Sequence, residues 1–147
     1  MRETDILKLD KRGRIVIPRI MRKSLGLAEN SQLMAISDSD EKEIRLIPLP
    51  LVDDNVYVKL SITLPDESGS LARVAQAFGD HNISLVYGET VIVKKGVKAE
   101  WRVIAPKKPD VPLDQLKKIL VEEGGALKVE ILESKFNPQP RQKNKKK

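Results

Sequence analysis

Four short runs of alternating residues, ILKL, RIVI, LMAIS and IRLIPL, occupy Ile6 to Leu49, and turn residues bound each of them. Period-two alternation sends successive side chains to opposite sides of an extended backbone, so each run predicts a half-buried strand. One short helix interrupts them, with Pro18 suited to a first helical turn and Gly26 to a helix end. The predicted order is strand, strand, short helix, strand, strand. A piece of roughly 45 residues buries too little apolar area to offset its chain entropy without a staple or a partner. The chain has no cysteine, which excludes disulfides and thiolate metal sites. A second copy is the inferred source of the missing core, making the piece an obligate homodimer.

The pattern then changes. PLPLVDDN, Pro48 to Asn55, reads as a connection, because two prolines block ladder bonding and Asp-Asp-Asn favours turns. VYVKLSITL predicts a strand from Val56 to Leu64. SGSLARVAQAFGDH predicts a helix with Leu71, Val74, Ala75 and Phe78 on one face. ISLVYGETVIVKKGVKAEWRVIA predicts two strands joined through KKG. PLDQLKKILVEEGG predicts a second helix with an inner stripe of Leu113, Leu116, Ile119 and Leu120, and ALKVEILES predicts a last strand. The order βαββαβ is the split βαβ arrangement of ferredoxin-like domains. The expected organisation is α+β: a first domain over 1–50, a linker over 51–55, a second domain over 56–134, and a basic, disordered tail over 135–147.

Charge is distributed unevenly. The formal net charge is +6, and the six positive side chains after Glu133 account for all of it. Within the neutral remainder, Lys8 to Lys23 holds seven positive side chains against Asp10 alone, while Asp38, Asp40, Glu41 and Glu43 crowd a later turn. A local basic cluster of this kind points to phosphate, whereas a solvated surface face is the alternative reading.

The words KLDKRGRIVIPRIMRKSLGLAENSQLMAI resemble the AbrB/SpoVT/MazE family of swapped-hairpin DNA-binding domains, over about Ile6 to Leu49. The resemblance implies that two chains exchange hairpins to make one small β-barrel, a cytoplasmic homodimer with a basic face for double-stranded DNA. By position it implies DNA contacts at Arg14, Arg22 and Lys23, with Lys8, Lys11, Arg12 and Arg19 nearby. Guanidinium groups can fork onto phosphate oxygens or guanine edges, so the arginines are the stronger candidates for readout. The family's frequently basic site before Lys8 is Leu7 here.

LPDESGSLARVAQAFGDHNISLVYGETV resembles the ACT domain, a small-ligand sensing module of amino-acid metabolism, and the resemblance spans about Val56 to Ser134. It implies amino-acid binding between paired domains, and such pairing offers a route from dimer to tetramer. By position the implied ligand residues are Asp66, Gly69, Ser70 and Leu71 on the turn, with His81, Asn82, Ile83 and Ser84 at the second strand. Ser84 stands where the family often has a ligand-gripping Asn. Under strict alternation Asn82 shares the face of Ser84 and can substitute. The alternative is that Asp66 and Ser70 cap the helix while Gly69 makes the turn.

His81 is the lone histidine, and with no cysteine in the chain and no clustered carboxylates around it in the sequence, a metal site or a nucleophilic triad lacks raw material. No glycine-rich phosphate loop is present. No enzymatic activity and no cofactor are therefore expected. No apolar run approaches the roughly 20 residues of a membrane span, and Met1 to Asp5 are polar, so no membrane association is expected either. The function expected is a dimeric transcriptional regulator whose second domain senses an amino acid. Two alternatives stay open: an antitoxin-like interaction module, and an ACT-type regulatory subunit of a biosynthetic enzyme.

Overall fold

The computed structural model describes residues 1–50 and 56–132. The expected linker at 51–55, the expected tail at 135–147 and residues 133–134 of the last predicted strand lie outside the described residues. The chain divides into two compact units, Met1–Asp54 and Asn55–Lys147.

In the first unit, helix α1 (Arg19–Ser24) precedes strands β1 (Leu33–Asp38) and β2 (Glu43–Pro48). Pro18 takes the N-cap of α1. Gly26, at φ +65°, ends it: its N–H donates to the Lys23 carbonyl at 3.3 Å, and the Leu27 N–H reaches back to Arg22 at 2.8 Å. That pair of bonds is the Schellman arrangement, which needs a left-handed residue after the last turn. β1 and β2 form an antiparallel hairpin running from Leu33 opposite Pro48 to Asp38 opposite Glu43. Pro48, expected in the connection, is instead the last residue of β2, an end position where a proline removes little ladder bonding.

ILKL and RIVI, expected as strands, are not strands in the single chain. They flank a turn at Asp10–Arg14 and pair with no strand among the described residues of their unit. The consequence is a unit without an interior: among residues 1–50 none is buried, and Ile6, Val16 and Ile44 stand 97%, 76% and 76% exposed.

The second unit has strands β3 (Tyr57–Pro65), β4 (Tyr87–Lys94), β5 (Lys98–Pro106) and β6 (Lys128–Leu132), with helices α2 (Ser70–Asp80) and α3 (Leu113–Glu122). The four strands make one antiparallel sheet in the order β4–β5–β3–β6, so the first and third strands of the βαββαβ sequence lie in the centre. One sheet face sends Leu60, Ile62, Leu64, Trp101, Val103, Ala105 and Val129 into a core closed by Val74, Ala77, Phe78, Leu116, Ile119 and Leu120 of the helices. Trp101 meets Phe78 edge to face, with ring centroids 6.0 Å apart.

The stripe of α3 is the expected one, with Leu113 partly buried and Leu116, Ile119 and Leu120 buried. That of α2 is rotated: Ser70, Val74, Ala77 and Phe78 face inward, while Leu71 and Ala75 are exposed. Both sets satisfy helical spacing, and the observed one brings the small Ala77 beside Phe78 against the sheet. The strand expected to begin at Ile83 begins at Tyr87. The intervening residues complete the end of α2, where Asn82 at φ 56° donates to Gly79 and Ile83 donates to Phe78.

Candidate functional site

All seven basic residues singled out between Lys8 and Lys23 are exposed. Two are held by the chain itself. Asp10 and Arg14 close a three-residue loop in which the Asp10 N–H donates to the Arg14 carbonyl, and the Gly13 N–H to the Asp10 carbonyl, both at 3.0 Å. Gly13 sits at φ +74°, the left-handed position that such a loop places before its closing residue. The Asp10 carboxylate then accepts three bonds. Oδ1 takes the N–H groups of Arg12 at 2.8 Å and Arg14 at 2.9 Å, and Oδ2 takes Nε of Arg14 at 2.7 Å. The Arg14 amide, followed by its guanidinium, holds the Asp10 carboxyl below the usual carboxylate range.

Arg22 lies in the last turn of α1, and its Nη1 donates to the Ile17 carbonyl just ahead of that helix. Lys23 follows it. The positive charge of both residues suits the C-terminal end of a helix. Lys8, Lys11, Arg12 and Arg19 complete an exposed basic set on the same unit. Chemically the set offers guanidinium forks and ammonium point charges in a segment whose one acid is already engaged by an arginine.

The residues singled out in the second unit fall at the two ends of α2. Before the helix, Asp66 does not cap it. Asp66 Oδ2 accepts the Gly96 N–H at 2.6 Å, and the Asp66 N–H donates to the Val97 carbonyl at 3.2 Å, tying this turn to the β4–β5 hairpin. Gly69 is the N-cap at φ +87°, and neither it nor a neighbouring side chain gives a capping bond. Ser70 is 3% exposed, and its hydroxyl, buried among the described residues, has no hydrogen-bond partner. Leu71 is on the surface.

After the helix, His81 Nε2 lies 3.1 Å from Glu123 Oε2 at the end of α3, Ile83 is buried, and Asn82 and Ser84 are exposed. Asn82 is in a helix-terminating turn, so the strict alternation expected to align it with Ser84 does not apply. Within one chain, the eleven residues of α2 at ~1.5 Å each separate the two groups by about 16 Å.

A further constellation escaped the sequence reading. On the sheet face away from the helices, Ser61 Oγ donates to Glu100 at 2.6 Å, and Arg102 grips both oxygens of Glu100 at 3.0 and 3.1 Å. Arg102 also approaches Glu89 at 3.5 Å, and Glu89 accepts the Tyr87 hydroxyl at 2.8 Å. The alternation S-I-T on β3 and E-W-R on β5 is visible in sequence, but only the register pairing Ser61 with Arg102, beside Glu100, joins them. The donors and acceptors of this network satisfy one another, so it reads as a sheet-face clasp.

Among the described residues no group of three or more His, Asp or Glu is placed to hold a metal ion, and no helix is long and apolar enough to cross a membrane. No curated protein matches the chain. Residues 6–53, most of the first unit, are similar to the family described as antidote-toxin recognition MazE, bacterial antitoxin.

Proposed function

We propose that the protein is a homodimeric, non-enzymatic DNA-binding regulator in which the MazE/AbrB-like unit grips double-stranded DNA through Arg14, Arg22 and Lys23, supported by Lys8, Lys11, Arg12 and Arg19. The observation that carries this reading is the pre-set basic surface: seven exposed cations on one unit, with Arg14 and Arg22 already anchored to carboxylate and carbonyl oxygens. Dimerisation is supported by the absence of any buried residue in 1–50, which leaves Ile6, Leu9, Ile15 and Val16 in need of a second chain. In this reading ILKL and RIVI become strands of a swapped-hairpin barrel when two chains exchange them.

The second unit acts as a ferredoxin-like, ACT-type sensor of an amino acid. Its βαββαβ order and the unpartnered Ser70 hydroxyl at the start of α2 support the assignment. The Asp66–Leu71 and His81–Ser84 groups lie at opposite ends of α2, so a ligand touching both sits between two copies, with one group from each. Ligand-dependent pairing then biases the spacing of two DNA-binding units, provided the ligand binds the two arrangements with different affinity.

Electrophoretic shifts with genomic fragments test the DNA reading. Arg14→Ala and Arg22→Ala are each expected to weaken binding about tenfold or more, within the range of a lost arginine contact to a base. Mutants that bind as well as the parent would refute it. The family match favours a second reading, an antitoxin whose partner is a toxin protein. Co-purification of a small toxin, with no DNA shift, would select that reading.

A further inference from the structure

We propose that Asp10, the one acid in the basic stretch from Lys8 to Lys23, is a positioning residue for DNA discrimination: its Oδ2 holds the Arg14 guanidinium by Nε, while its Oδ1 builds the turn. The inference rests on the DNA-binding reading and extends it to a residue whose charge opposes binding. A carboxylate beside phosphates lowers the attraction that every DNA sequence enjoys, because non-specific affinity follows the number of neutralised phosphates. An acid at this position therefore weakens general binding and needs a compensating role.

The geometry supplies one. The two carboxylate oxygens have separate tasks: Oδ1 accepts the Arg12 and Arg14 amides, and Oδ2 accepts the side chain of Arg14. Nε is the inner nitrogen of the guanidinium, so engaging it leaves the terminal Nη1/Nη2 edge able to fork onto a base or a phosphate. The Arg14 side chain is 68% exposed and that of Asp10 38%, so the arginine projects and the acid stays behind it. A guanidinium fixed before encounter loses less freedom on binding than a free one, and its fork has a direction. Asp10 thus exchanges general affinity for oriented contact.

The separation of tasks makes the idea testable. Asp10→Asn can keep the turn, because its amide oxygen can still accept the two backbone N–H groups, but its NH₂ cannot accept from Arg14 Nε. Arg14→Lys keeps the charge and removes the fork. The full-length protein, both single variants and the double variant would be measured against a duplex that the wild type enriches from a random-sequence pool. A scrambled duplex of equal length and several salt concentrations complete the comparison, with thermal melting beside each measurement.

The expected result is that Asp10→Asn binds the scrambled duplex at least as well as wild type, while its preference for the enriched duplex falls about tenfold, within the range of one bidentate base contact. Arg14→Lys should lose preference to a similar degree, and the double variant should lose little more, since both changes break one coupled pair. An unchanged preference in Asp10→Asn, or equal weakening on both duplexes with a lowered melting temperature, would overturn the proposal and leave Asp10 as a turn residue. Failure of the wild type to enrich any sequence would overturn the DNA reading, and this inference with it. That failure is recognisable because it appears before any substitution is made.

Discussion

Glu100 accepts two bonds from Arg102 and one from Ser61, so deprotonation is favoured and its pKa lies below the ordinary carboxylate value. A native pKa below the unfolded one adds stability above the usual carboxylate range, and that stability disappears as pH falls through the lowered native value. Melting temperatures taken from about pH 7 to about pH 3 should therefore drop more steeply for wild type than for Glu100→Gln, which has no carboxyl there to titrate. Parallel curves would show that the clasp contributes nothing in solution. Gly13 supports a second expectation. A methyl group there meets no atom within 4 Å, so the cost of Gly13→Ala comes from its φ of +74° alone, about 1–2 kcal/mol of stability read from chemical denaturation. At this scale the sequence is legible where residue type implies conformation, as at Gly26, expected to end a helix and found at φ +65°. It is opaque where partners are distant: Asp66, expected in a ligand-binding turn or alternatively as a helix cap, bonds to Gly96, thirty residues on. Asp10 stands out in sequence as the one acid among seven cations, whereas the part its carboxylate plays in closing the loop with Arg14 shows only in the structure.

Both helices of the second unit announce themselves by spacing, yet only α3 presents the face expected of it. The periodicity of α2 fits two stripes, one including Leu71 and Ala75 and one including Ser70 and Ala77, and local spacing carries no information on which of them the sheet can seat. Tertiary packing selects the second, where Phe78 reaches Trp101 edge to face. The same limitation explains the late start of β4: His81–Ile83 are spent on ending α2, and an apolar Ile83 buried in that turn looks from sequence like the first residue of a strand. Phe78 is 1% exposed and central to the helix–sheet contact. Phe78→Ala should cost about 3–5 kcal/mol, the usual range for deleting a buried aromatic ring. Trp101, the chain's lone tryptophan, should report the change directly through a red-shifted emission as its neighbour is lost. A cost under about 1 kcal/mol with unshifted emission would mean that the ring is not packed as described.

The two units reach stability by different physics, and this difference gives the whole molecule a thermodynamic signature. The second unit encloses its own core within one chain, from Leu60 to Val129. The first unit buries nothing among residues 1–50, and ILKL and RIVI, alternating in sequence, form no strand in one chain; in the proposed dimer a second chain supplies their ladder. Alternation reveals that a face must be covered; it does not reveal whose chain covers it. A fold completed only by association is stabilised by mass action, so its melting temperature rises with protein concentration. The first unit contains no Phe, Trp or Tyr, and the only tryptophan is Trp101 in the second, which lets one sample report the two units separately. Far-ultraviolet circular dichroism should show a transition that moves upward by several degrees over a hundredfold range of concentration. Trp101 fluorescence should show a second transition; if the ACT-type units pair, as the sensing proposal requires, that transition should become concentration-dependent once the cognate amino acid is added. A first transition that stays fixed with concentration would sink the two-chain origin of the first unit's core. A Trp101 transition unmoved by all twenty amino acids at millimolar concentration would sink the sensing role while leaving the proposal of a dimeric DNA-binding first unit intact, because Trp101 reports on the core of the second unit alone.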